Sequence, residues 1–143
     1  IDKELEVVNH FIELAKIQYE ERLDFSSKIQ LDSDDIKIPP MVIQIMIENA
    51  VKHGISTVEG GGKLTLSVIQ QDCMLIIKVS NPGKILSAHM DPEASANIGV
   101  GLVNIRRRLD LLYGDMAQFE LIEQPQECRV EASIKLPLTI GER

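Results

Sequence analysis

Apolar residues recur at helical spacing over the opening stretch of the chain. Leu5, Val8, Ile12, Ala15 and Tyr19 step by three and four, with charged residues between them. The spacing predicts an amphipathic helix over 2–22 with one buried stripe. From 23 to 31 the period falls to two: Leu23, Phe25, Ile29 and Leu31 alternate with mostly polar neighbours, as in a half-buried strand. Asp32 to Asp35 form an acidic turn. A run too apolar for a surface helix follows, with Met41, Val42, Ile43, Ile45, Met46, Ile47, Ala50 and Val51. Pro39 and Pro40 open it, and Pro suits a first helical turn because its missing N–H would be unpaired there. Gly54 ends it, as a residue that accepts the left-handed conformation past a helix.

Beyond Gly60-Gly61-Gly62 the period is again that of strands. Leu64, Leu66 and Val68 mark one, and 74–79 the next, with a Gln-Gln-Asp link that predicts a hairpin. The second is apolar on consecutive positions, which predicts a central, covered strand. Residues 81–98 break the pattern with two prolines, a glycine and small polar residues. A loop of this length is often a functional lid. A helix with Leu102, Ile105, Leu109 and Leu112 on its stripe then runs to Gly114. Strands at 117–122 and 128–136 close the chain, the latter alternating through Val130, Ala132, Ile134 and Leu136. This order predicts an α+β domain, a two-layer sandwich of one mixed sheet with helices packed on one face.

Composition narrows the class. With 143 residues, 44% hydrophobic and 26% charged, the chain is long enough for one globular domain with a real core. A net charge of −7 argues against a nucleic-acid partner, so an anionic ligand would need a local positive site. No apolar run approaches the roughly 20 residues that span a bilayer, and no signal peptide is visible. Cys73 and Cys128 have no metal-type spacing, and a reducing cytoplasm is the default expectation. The chain opens within a helical pattern and without Met, which points to a domain of something longer. No Gly-rich loop ending in Lys-Ser/Thr is present, which excludes a P-loop.

The apolar run ends in polar chemistry. Asn49, Lys52 and His53 stand at i, i+3 and i+4, so an amide, an ammonium and an imidazole share one helix face. An amide oxygen suits Mg²⁺, and an ammonium holds a phosphate as a point charge. His53 is either a second phosphate contact or a cation meeting the helix dipole. Glu48 lies about 100° round the helix from Asn49 and four residues before Lys52, a favourable helix pair. Gly99 and Gly101 sit at a predicted helix start, a natural anion site. Asn81-Pro82-Gly83 is strong turn chemistry, with Gly83 able to let a ligand approach the backbone.

The stretch from Pro39 to Gly54, PPMVIQIMIENAVKHG, resembles the asparagine box of the histidine-kinase ATPase domain, and more narrowly that of the autolysin-sensor type. Gly99 to Gly114, GVGLVNIRRRLDLLYG, is similar to the same family's glycine box, GxGLxNxxxRLxxxYG. The two blocks stand in the family's order, and the resemblance covers nearly the whole chain. It implies the ATP fold shared with gyrase, a heat-shock chaperone and mismatch-repair ATPases, with ATP and Mg²⁺ as cofactors and Asn49 as metal ligand. Glu48 and Asn49 become the catalytic candidates. Lys52, His53, Asn81, Gly83, Gly99, Gly101, Leu102 and Asn104 become the nucleotide contacts. Where related ATPases carry a water-activating carboxylate, one turn before the Asn, this chain has Ile45, which suits a kinase that must spare its ATP.

Two departures stand out. Family members commonly have Asp-x-Gly where this chain has Asn81-Pro82-Gly83, and Gly-Thr near Glu127-Cys128. Arg106, Arg107 and Arg108 could bind phosphate, although a solvated basic stripe accounts for at least two of them. Neither His10 nor His89 has the family's acceptor context.

The resemblance implies the catalytic domain of a bacterial two-component sensor kinase, transferring the γ-phosphate to a histidine outside this stretch. On this reading 1–22 is a helix leading to a dimerising phosphoacceptor region, and 23–143 is the ATP-binding domain, one unit with it. Implied partners are that acceptor region, in the same or a partner subunit of a homodimer, and a response regulator. The implied location is the cytoplasmic side of a membrane-anchored sensor. The alternative is a nucleotide-binding pseudokinase or an anti-sigma-type serine kinase regulator of the same fold.

Overall fold

The computed structural model describes residues 2–19, 23–32, 36–39, 41–52, 62–83, 104–124, 126 and 128–138. The expected lid at 84–98, with His53, Gly54, His89, Gly99, Gly101 and Leu102, lies outside them. Helix α1 (Asp2–Tyr19) leads to strand β1 (Leu23–Gln30), helix α2 (Val42–Ala50), strands β2 (Gly62–Gln71) and β3 (Met74–Pro82), helix α3 (104–113) and strands β4 (Gln118–Gln124) and β5 (Arg129–Pro137). The strands form one mixed sheet in the order β1-β2-β3-β5-β4. β1 runs parallel to β2, and every other pair is antiparallel.

The period-2 patterns decide which face is covered. Leu64, Leu66 and Val68 of β2, Leu75, Ile77 and Val79 of β3, and Ala132, Ile134 and Leu136 of β5 are all buried in one cluster with residues of the three helices. α1 contributes Val8, Ile12 and Ala15, the stripe expected from its spacing, while His10 is exposed. α2 contributes Val42, Ile43, Met46, Ile47 and Ala50, which recur at helical spacing and pack α2 against both α1 and β3. α3 contributes Ile105 and Leu109. The opposite face carries Lys63, Thr65 and Ser67, then Lys78 and Ser80, then Glu131 and Ser133, none of them buried. The α+β sandwich with helices on one face is therefore the observed architecture.

Several local expectations shift. Pro40 lies outside the described residues, and α2 starts at Val42, so Pro39 precedes its first turn. Met41 is the residue before it, at φ 70, and α2 has no side-chain cap of its own. The cap comes from α1: the half-buried Glu4 carboxylate accepts the Met41 N–H at 3.0 Å and the Gln44 N–H at 3.1 Å. A carboxylate here satisfies orphan donors and meets the positive end of the helix dipole. Glu4→Ala should cost about 1 kcal/mol, in the range of lost N-caps, and Glu4→Gln less. Urea midpoints of the two variants test this, and an unchanged midpoint for Glu4→Ala would refute the cap.

Ile29 was expected on the buried face of β1 but is 40% exposed, because β1 is an edge strand and only Leu23 there is buried. The β2–β3 turn falls at Asp72-Cys73 rather than at Gln-Gln-Asp, with Asp72 at φ 56, a conformation Asp tolerates. Leu112 was expected on the α3 stripe but is 61% exposed. In that last turn Tyr113 is half-buried instead, and burial pushes its phenol pKa up. Gly114, at φ 59, then ends α3 as expected.

Candidate functional site

The polar end of α2 supplies the first group of candidates. Asn49 is half-buried on the penultimate helical residue, one position from the buried Ala50. Among the described residues its side chain has no hydrogen-bond partner. An amide with no partner among the described residues is a candidate for holding a ligand, since leaving it fully desolvated would cost of order 1–3 kcal/mol. Past Ala50, Val51 and Lys52 continue as a π-type turn, a form frequent at functional sites, with the Val51 N–H shared between the Ile47 and Glu48 carbonyls. Glu48 is half-buried and Lys52 exposed, and His53 lies outside the described residues.

The end of β3 supplies the second. Asn81 follows Leu75, Ile77 and Val79 at period two, so it projects on the helix-covered face, the side on which α2 packs against β3. The side-chain nitrogen of Asn81 donates to the Pro82 carbonyl at 2.9 Å. That commits the amide: its Oδ1 oxygen is the end left to accept a hydrogen bond. The Gly83 N–H donates to the Cys128 carbonyl at 2.8 Å, extending the β3–β5 ladder by one pair. Cys128 stands at φ 54, a left-handed conformation that glycine adopts at no steric cost. The departure from the family's Gly-Thr is thus a strained backbone in this chain, and it still meets Gly83.

Two features at this end were not expected from the sequence. Gly62 is pressed by Pro82: a Cβ on Gly62 would lie 2.8 Å from the proline Cγ. Arg129 reaches across the open face of the sheet, its Nε donating to Ser80 Oγ at 2.9 Å and its Nη2 to the Lys63 carbonyl at 2.6 Å. The sequence did hold one signal, a proline at the end of a central strand, where a ladder N–H is missing and another donor is needed.

α3 supplies the third group. Asn104 is exposed at the first described residue of the helix. The Arg106 guanidinium lies over the Phe119 ring, 6.0 Å from its centroid, and Arg107 is exposed. A groove of about 320 Å³ opens between α3 and β4, lined by residues including Arg106, Asp110, Phe119 and Glu120. It contains none of Asn49, Lys52, Asn81 or Gly83, so it is separate from the candidate site.

No protein-family model matches the chain. The sensor protein LytS of Bacillus subtilis (strain 168) is 25% identical over 145 aligned residues, covering 96% of this chain and 24% of that protein. The sensor histidine kinase/phosphatase LytS of Staphylococcus aureus (strain N315) is 30% identical over 130 residues, covering 84% of this chain and 22% of that protein. The chain is a relative of the LytS sensor histidine kinases. It spans about a quarter of their length. Among solved structures, the catalytic domain of histidine kinase ThkA superposes with a TM-score of 0.60 at 18% identity, covering 93% of this chain and 94% of that one. Full-length ShkA in complex with AMPPNP gives 0.65 at 15% identity, covering 97% of this chain and 30% of that one. The LytS-related chain therefore has the histidine-kinase catalytic fold. Among its described residues no helix is long and apolar enough to cross a membrane.

Proposed function

We propose that this chain binds ATP with Mg²⁺ and serves as the catalytic domain of a sensor histidine kinase, directing the γ-phosphate to a histidine imidazole elsewhere in the protein. The observation that carries the reading is the half-buried Asn49 amide, with no side-chain hydrogen bond to any described residue, at the end of an otherwise apolar helix in a chain related to sensor kinases. The AMPPNP bound by ShkA, a structure of the same fold, supports an adenine nucleotide. The donor set suits Mg²⁺, a hard cation that prefers oxygen and keeps most of its water and phosphate ligands. When bound, the metal would neutralise charge on the phosphates.

The chain's own residues then have distinct tasks. Asn49 would hold the metal by its amide oxygen and Lys52 would meet phosphate as a point charge, with His53 as a second phosphate contact. Asn104 at the start of α3 contacts the phosphates, together with Gly99, Gly101 and Leu102 of the glycine box, which lie outside the described residues. Asn81 Oδ1 accepts from the adenine amino group, and Gly83 lets the base approach. Half-buried Ile45 offers no carboxylate to activate water, so ATP is spared for transfer. Glu48 is the remaining carboxylate near the metal ligand, and its catalytic part is open to test by Glu48→Gln.

On this reading α1 continues toward the dimerising acceptor region of a membrane-anchored homodimer, and a response regulator takes the phosphoryl group onward. The relatives are sensor proteins, which favours the kinase over the anti-sigma regulator or pseudokinase. Calorimetric titration with ATP, with and without Mg²⁺, tests binding; transfer of label to a supplied acceptor region tests the kinase.

The Asn81 assignment predicts nucleotide preference. A neutral hydrogen bond is worth roughly 0.5–1.5 kcal/mol and one to a charged acceptor roughly 1.5–3. Asn81→Ala should therefore lose roughly tenfold in ATP affinity, and Asn81→Asp should bind ATP as well or better. Wild type should prefer ATP to GTP in competition. Equal affinities for both nucleotides, unaltered by Asn81→Ala, would take Asn81 out of the site.

A further inference from the structure

The β2–β3 ladder stops at Thr65 and Ser80. In the continued register Lys63 faces Pro82, which has no N–H to give, so the last turn of β3 is unpaired on its β2 side. On its other side β3 stays paired to β5 through Asn81–Val130 and Pro82–Arg129. Arg129 makes up the difference. Its guanidinium reaches from β5 to give the Lys63 carbonyl the donor that proline cannot, while its Nε donates to Ser80 Oγ. The two residues flanking Asn81 are thus fixed: Ser80 by the Arg129 hydrogen bond, and Pro82 by its pairing to Arg129 in β5 and its close approach to Gly62. Asn81 itself points the other way, and its amide orientation depends on the Pro82 carbonyl.

We propose that Arg129 is a positioning residue for base recognition, locking the end of β3 from the open face so that the Asn81 amide keeps its Oδ1 turned to the nucleotide. This rests on the reading of Asn81 as the adenine acceptor. Pro82 and Arg129 form one device: a proline that frees the strand end from β2, and a guanidinium that fastens it again without filling the covered face. Because Arg129 lies on the opposite face of the sheet from Asn81, its effect on the nucleotide is transmitted through the backbone of Ser80–Pro82.

The experiment has two arms, on wild type, Arg129→Ala, Arg129→Lys, Ser80→Ala and Asn81→Ala. Without nucleotide, the Asn81 side-chain amide is followed by ¹⁵N–¹H spectroscopy. Its proton exchange should quicken at least about threefold in Arg129→Ala as the bond to Pro82 loosens, with Arg129→Lys closer to wild type. With nucleotide, competition gives the ATP/GTP affinity ratio, which should fall about threefold to tenfold in Arg129→Ala and less in Ser80→Ala. A lowered unfolding midpoint with unchanged amide exchange and ratio means a purely structural clamp, and overturns the proposal. An unchanged ratio in Arg129→Ala, with a ratio that collapses in Asn81→Ala, also overturns it while leaving the Asn81 reading intact. If Asn81→Ala leaves the ratio unchanged, the reading of Asn81 falls and the proposal falls with it. Should Arg129→Ala fail to fold, Ser80→Ala and Arg129→Lys carry both arms.

Discussion

Replacing Asn49 by Ala is expected to abolish the Mg²⁺-dependent part of ATP binding and leave the fold intact. The two halves of this expectation have separate causes. Asn49 makes no side-chain hydrogen bond to any described residue, so truncation orphans no partner there. Ala is also the better helix former, by roughly 0.5–0.7 kcal/mol, on a helical residue. Stability should therefore stay within about 0.5 kcal/mol of wild type, or rise. A metal held as proposed would, by contrast, lose an oxygen ligand that Ala cannot replace, and the interactions at stake involve charged groups. Calorimetry with ATP at fixed Mg²⁺, repeated in chelator, separates the metal-dependent contribution, and urea unfolding measures the fold. Undiminished affinity in Mg²⁺ would reduce Asn49 to a residue of the helix end.

How far the sequence discloses this site depends on what kind of signal each part carries. Periodicity is a local property of neighbouring side chains, so the stripe Val8, Ile12 and Ala15 and the alternation Val130 to Leu136 were legible. The covered-face position of Asn81 follows from the same period, extended from Leu75 through Val79. Edges are a global property. Whether β1 lies inside the sheet or at its rim is decided by pairing, and so the exposure of Ile29 could not be read from its neighbours. Long-range polar contacts are less legible still. Glu4 caps a helix 37 residues away, and Arg129 joins Lys63 at a separation of 66, without any spacing rule to announce them. Only the consequences of their absence are local: α2 begins without a Ser, Thr, Asp or Asn cap, and β3 ends in a proline. The glycine box remains a motif on the sequence, since Gly99, Gly101 and Leu102 fall outside the described residues.

Ile77→Ala is expected to be the most damaging single truncation for stability, at about 3–4 kcal/mol. Ile77 is fully buried in β3, the middle strand of the five, and its direct neighbours across the sheet, Val68 and Ile134, are fully buried too. Strands on both sides fix the backbone, so the site cannot collapse round the missing atoms, and the cavity cost adds to the lost transfer energy. Against a total stability of about 5–15 kcal/mol this is a large fraction. Ile77→Val, which removes one methylene, should cost only about 1 kcal/mol. Urea unfolding should show the midpoint falling with the slope unchanged, since the surface exposed on unfolding is nearly the same. A loss under about 1 kcal/mol for the alanine variant would mean that the helices close the gap. Nucleotide affinity of the folded fraction should hold within a few-fold. Asn81 lies four residues along the same strand, but its backbone is paired to β5 and the neighbouring Ser80 is held by Arg129, away from the packing at Ile77. Loss of affinity in step with loss of stability would show instead that the core under α2, and not the fastening at the strand end, sets the geometry of the site.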